Sequence, residues 1–141
     1  VSDFEFRQTE GDLGTAIKQM AFISSLEFKT QILQEIAEET IRLVQDGFYS
    51  ETDPYGKAWA PTKKKSGRIL EQFGTLLRSI RSEVREEVFR IIMADYGGVH
   101  QVGTKHIPQR MIVPDEGKGL PEKWEQAYEI ATEKVINRIF G

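Results

Sequence analysis

Between Phe28 and Phe48 the residues Phe28, Ile32, Ile36, Thr40, Ile41, Val44 and Phe48 recur at helical spacing, while Glu35, Glu38, Glu39 and Arg42 fall on the opposite side. A stripe of this period is the apolar face of one long amphipathic helix, running to about Gly47. Ser24-Ser25-Leu26-Glu27 precedes it and fits a capping box, in which the serine hydroxyl and the glutamate each satisfy a backbone donor of the first turn. A helix of this length cannot bury its stripe alone, so the other elements must be laid against it.

Those elements follow from the flanking patterns. Phe4 and Phe6 alternate with Asp3, Glu5 and Arg7, the period of a short half-buried strand. Leu13, Ala16, Ile17 and Met20 return to helical spacing behind Asp12, which can cap a first helix. After the long helix, the stretch from Asp46 to Arg68 loses periodicity, with Asp53-Pro54 and Tyr55-Gly56 both reading as turns. A loop of that length in a compact domain is uncommon and is often functional. Ile69, Leu70, Phe73, Leu76 and Leu77 predict a short helix interrupted by Gly74. From Ser79 onward Ile80, Ser82 and Val84 alternate with charged residues, and Arg85-Glu86-Glu87 can turn the chain into the β-prone run Val88 to Ala94, so a hairpin is expected. Ile107 to Pro114 is a further extended candidate. Pro121 suits a first helical position, and Trp124, Ala127, Tyr128, Ala131, Val135 and Ile139 outline a last helix. The order predicts a single α+β domain over residues 1–141, with a small antiparallel sheet packed against the long helix and the C-terminal helix.

Composition narrows the function. The chain has 141 residues, 39% of them hydrophobic and 29% charged, with a net charge of -3. A protein whose main task is to hold nucleic-acid phosphates carries a clear cationic excess instead. Without cysteine there is no disulfide, thiolate metal site or cysteine nucleophile. No apolar run approaches the roughly 18 residues of a membrane span, and the first residues lack the layout of a secretory signal. A protein that is cytoplasmic at the time of its synthesis is therefore expected.

The segment Asp95 to Met111, DYGGVHQVGTKHIPQRM, holds both histidines. His100 and His106 are six residues apart, which is neither the spacing of two ligands on one helix face nor a zinc motif, and Asp95 completes a ligand set only if the loop folds back. They read as two polar loop residues. Ser66, Ser79 and Ser82 lie in no nucleophile motif, and the glycines around Tyr96 lack the Lys-Ser/Thr of a phosphate loop. The expectation is a protein without catalytic residues, metal or cofactor. A second reading is a small nucleic-acid-binding module, in which Trp59 stacks beside the basic run Lys63, Lys64, Lys65 and Arg68. Trp59 otherwise serves as a core anchor or an interface residue.

Four motifs in one order carry a resemblance: DPYGKAWAP, ILEQFGTLLRSI, DYGGVHQVG and IPQRMI. Together they resemble the virion morphogenesis family of tailed bacteriophages, in its tail completion protein S and Mu-like G types. The matching positions are Asp53, Pro54, Gly56 and Trp59; Leu70, Gly74, Leu76 and Ser79; Tyr96, His100, Gln101 and Gly103; and Ile107, Pro108 and Arg110. Gly97, Phe73 and Met111 depart from the pattern, standing where alanine, a small hydroxyl residue and proline are usual. The resemblance implies a phage or prophage structural protein acting at tail completion or head-tail joining, as a ring at the neck or the tail end. It also implies self-association, contact with other neck, connector or tail proteins, passive contact with passing DNA, and a place first in the bacterial cytoplasm and then in the virion. Within the motif set, Tyr96 and the glycines suit a tight strand-to-helix turn, Gln101 can pair backbone groups, and Arg110 can reach a carboxylate bidentately.

Overall fold

The computed structural model describes residues 12–61 and 69–141. The strand expected at Phe4 and Phe6 and the basic run from Lys63 to Arg68 lie outside those residues. Helix α1 spans Asp12–Ile23 and α2 Leu26–Ser50, and α3 follows at Ile69–Ser79. A hairpin of β1, Arg81–Arg85, and β2, Val88–Ile92, leads to the short α4, Tyr96–Val102, and to the last helix α5, Glu122–Phe140. The α+β class is as expected.

α2 is the spine. Its cap is Ser25, whose Oγ accepts from the Phe28 amide at 3.2 Å. The capping box expected from Ser24 therefore does not form: Phe28 occupies the third helical position, where Glu27 would have had to stand to reach back. Ser24 instead donates to the Ala21 carbonyl at 2.9 Å and closes α1. α2 also runs through Gly47 to Ser50, and Glu51 ends it in the left-handed region at φ 57°. Gly47 is where the chain folds back closely, since a Cβ there would lie 3.2 Å from the Thr52 carbonyl oxygen.

Of the stripe expected on α2, Phe28, Thr40, Val44 and Phe48 are buried and Ile32, Ile36 and Ile41 half-buried, while Ala37 and Leu43 are buried beside it. Leu43, Val44 and Phe48 join Trp59, Leu76, Ile112 and Trp124 in one core, and full burial of each large side chain contributes roughly 1.5–3 kcal/mol. α5 lays Trp124, Ala131 and Val135 against α2. Its Tyr128 hydroxyl meets Thr40 Oγ1 at 2.6 Å, and Thr40 donates in turn to the Ile36 carbonyl. Glu35, expected on the solvent face, is buried between the two helices. Lys134 and Arg138 of α5 reach it at 2.9 and 3.7 Å, and the hydrogen bond from Lys134 leads the effects that hold its carboxyl below the usual range. At the far end Phe22, Phe28 and Phe140 pack with ring centroids 5.8–6.2 Å apart.

The hairpin pairs Arg81 with Ile92, Glu83 with Arg90 and Arg85 with Val88. Its two connecting residues, Glu86 and Glu87, sit at φ 54° and 62°, the left-handed pair that a type I′ turn requires. Phe89 on the inner face meets the Tyr128 ring edge-on at 6.3 Å. Four local expectations change. α3 continues through Gly74 without interruption, Pro121 caps α5 rather than entering it, the Tyr96 stretch is a helix rather than a turn, and residues 107–114 form no strand. No helix among the described residues is long and apolar enough to cross a membrane.

Candidate functional site

The first motif folds on its own side chains. Asp53 begins a tight turn in which its carbonyl accepts from the Gly56 amide at 3.0 Å, with Pro54 at the position where a fixed φ helps. Asp53 Oδ1 accepts from the Tyr55 and Lys57 amides at 2.8 and 2.9 Å, and Gly56 takes φ 87°. The turn delivers Trp59 to the core, where its ring stands edge-on to Phe48 at 5.1 Å and Nε1 donates to the Met111 carbonyl at 2.9 Å. Trp59 is 8% exposed, so it is a core anchor and its face is not open to a nucleobase.

The second and third motifs meet across the hairpin exit. Ser79 Oγ donates to the Leu76 carbonyl at 2.6 Å and accepts from the Ala94 amide at 3.0 Å, tying the end of α3 to the residues before α4. Leu76 is fully buried. Gly97 is buried as well, and a Cβ on it would lie 2.8 Å from Met93 Cγ and 3.1 Å from Leu76 Cδ1. The methionine fills the space that an alanine would take, which accounts for glycine at this position.

Gln101 then spends its whole amide on the return segment. Oε1 accepts from the Ile112 and Val113 amides at 2.7 and 3.0 Å, and Nε2 donates to the Val113 carbonyl at 2.7 Å. This replaces the ladder that residues 107–114 lack. Gly103, at φ 81°, starts the loop between them, and a Cβ there would stand 2.9 Å from the Gln109 amide nitrogen. Thr104 Oγ1 accepts from the His106 and Ile107 amides within that loop.

Arg110 closes the arrangement. Its amide donates to the His100 carbonyl at 2.7 Å, Nε donates to the Ala60 carbonyl at 2.8 Å, and Nη2 to the Pro61 carbonyl at 2.9 Å. These two guanidinium bonds go to main-chain carbonyls where a carboxylate was expected. The guanidinium is buried and still fixes the stretch that follows Trp59. His100 is half-buried beside it, against Phe48, Trp59, Leu76 and Ile112. Burial first, and the Arg110 charge second, hold its pKa below the ordinary imidazole value.

The motif residues thus converge, with exceptions. Gly56, Tyr96 and Pro108 lie at the exposed surface, as does His106 outside the motifs, and Gly74 meets only the flexible end of Arg78, 3.2 Å from where its Cβ would be. Among the described residues no group of three or more His, Asp or Glu could hold a metal ion, so Asp95, His100 and His106 do not assemble into one. Tyr55, an unspecified position of the first motif, carries a connection that motif spacing missed. Its hydroxyl donates to the Gly119 carbonyl at 2.5 Å and accepts from the Asp115 amide at 3.1 Å. Next to it an open cleft of about 400 Å³ lies between Asp46, Ser50, Asp53, Tyr55, Glu122 and Trp124. The turn residues around Tyr55 could have suggested a tether, but its partner lies 60 residues on.

Comparison with curated proteins and with solved structures returned no match. The model of the phage virion morphogenesis family matches residues 12–131, a span that contains all four interlocked motifs together with α1, α2 and most of α5. The chain belongs to the phage virion morphogenesis family.

Proposed function

We propose that this member of the family is a structural subunit without catalytic activity, acting at tail completion or head-tail joining as part of a ring at the neck or tail end. The observation that carries the reading is the use to which the motif side chains are put. Asp53, Trp59, Ser79, Gln101 and Arg110 each bond main-chain groups of a loop or neighbouring segment. A catalytic constellation aims its polar groups at a space where a reacting atom can sit. Here they are turned inward to hold the shape of the loops, and a fixed outer surface is what an assembly subunit supplies. His100, whose burial and whose neighbour Arg110 favour the neutral ring, is a shape-holding residue in this reading.

A nucleic-acid-binding module gains no support from Trp59, whose ring is committed to the core. Imaging of particles produced without the protein tests the proposal. Detached heads and tails, overlong tails, or absent tails would each support it and identify the step. Intact, infectious virions would overturn it.

A further inference from the structure

The two outward surfaces of the fold carry opposite charge. In the β1–β2 hairpin, residues directly opposite each other share a face, and Phe89 against Tyr128 marks the inner one. The outer face of the two strands therefore presents Arg81, Arg85, Arg90, Val88 and the half-buried Ile92 around one carboxylate, Glu83, with Glu86 and Glu87 confined to the turn at its tip, where Glu87 pairs with Lys29. Arg85 pairs with that carboxylate, and the fields of Arg90 and Arg81 add to its hold on the proton-free form. Arg81 and Arg90 are exposed and make no ion pair among the described residues. This is a cationic surface on a chain whose net charge is -3.

α5 presents the reverse. Glu122, Glu125, Glu129 and Glu133 are all exposed and follow one another at helical spacing, so they form a stripe opposite the buried Trp124, Ala131 and Val135. Like charges at this spacing repel and cost their own helix some stability. The nearby cations Lys134 and Arg138, though half-exposed, pair with Glu35 rather than with the stripe, and Lys123 adds one cation at the start of the helix. Beside the stripe Ile130 is 65% exposed, and on the hairpin face Val88 is 46% exposed. Each surface thus combines excess charge of one sign with an uncovered apolar side chain, the makings of an interface with an apolar centre and a polar rim.

We infer that the outer face of the hairpin in one copy docks on the acidic stripe of α5 in the next copy. The two patches differ, so the contact is heterologous and repeats from copy to copy until a rotation closes it. The inference rests on the ring reading proposed above and names the surfaces that build the ring. Charge complementarity selects a second copy as the occupant, because the chain itself carries both halves.

Charge reversal tests it in three proteins of full length: R81E/R90E, E129K/E133K, and the two combined. All four positions are exposed, and thermal melts check that each variant folds. Sedimentation velocity at low and physiological salt should show self-association weakened at least tenfold in each reversed variant. The combined variant should recover it, and so should an equimolar mixture of the two reversed variants. Reversed variants that associate like the wild type, or a combined variant and a mixture that stay dissociated, would overturn the inference while leaving a ring built on other surfaces intact. A wild type that never self-associates would remove the ring reading itself and this inference with it. Loss of salt-sensitive duplex DNA binding in R81E/R90E, with association unchanged, would overturn it by giving the cationic face to nucleic acid.

Discussion

Gln101 shows how one side chain can stand in for a strand ladder. Its amide serves two amides and one carbonyl of the return segment, and leaving them without partners destabilises by about 2 kcal/mol. Gln101→Leu should lower the melting temperature by about 6 °C. Gln101→Glu, which keeps the acceptors and loses the donor, should fall between. Equal melting temperatures for all three would show that water satisfies the segment instead. His100 makes the matching prediction in pH. The folded chain resists protonating it, through burial first and Arg110 second, whereas the unfolded chain takes up that proton near pH 6.5. The unfolded state then binds more protons below that pH, so stability is lost as pH falls through about 6.5 and the effect is absent above it. Denaturant midpoints measured from pH 8 to 5.5 should fall less for His100→Asn than for the wild type. Parallel curves would assign the titration to another group.

At the scale of elements, what the sequence made legible and what it hid divide along physical lines. α2, α5 and the hairpin were readable because their apolar residues keep one period over many positions, and burial then follows the stripe. α4 was hidden because seven residues with two adjacent glycines carry no period, and it ends where Gly103 takes φ 81°. Glu35 was misread because an acidic residue on a polar face gives no sign that Lys134 and Arg138 will reach it from a helix far along the chain. The motif positions were nameable from the resemblance, but not their partners: that Arg110 grips Ala60 and Pro61, 50 and 49 residues away, is a property of the folded loops alone. The hairpin turn holds strain that can be released. Glu86 and Glu87 occupy left-handed conformations that asparagine and glycine adopt at less cost. Glu86→Asn with Glu87→Gly should stabilise the chain by about 1 kcal/mol, read as a higher denaturant midpoint at unchanged slope. A lower midpoint would mean that the two carboxylates matter more than the backbone, for example through the exposed pair of Glu87 with Lys29 at 3.6 Å.

For the whole molecule, the long helix fixes the frame, the four motifs lock the loops around its C-terminal half, and the hairpin and α5 are left facing outward. A fold organised this way invests its polar side chains in shape and keeps its charge contrast for the surface. Its membership of a virion morphogenesis family gives that shape a setting, and the proposed role requires that the protein act by remaining in the particle. The most direct measurement adds purified protein to particles assembled without it, then counts chains retained per particle made infectious. A fixed number of retained chains, the same in every restored preparation, is the predicted result. One chain restoring many particles without staying bound, or no gain in infectivity at any concentration, would contradict the account.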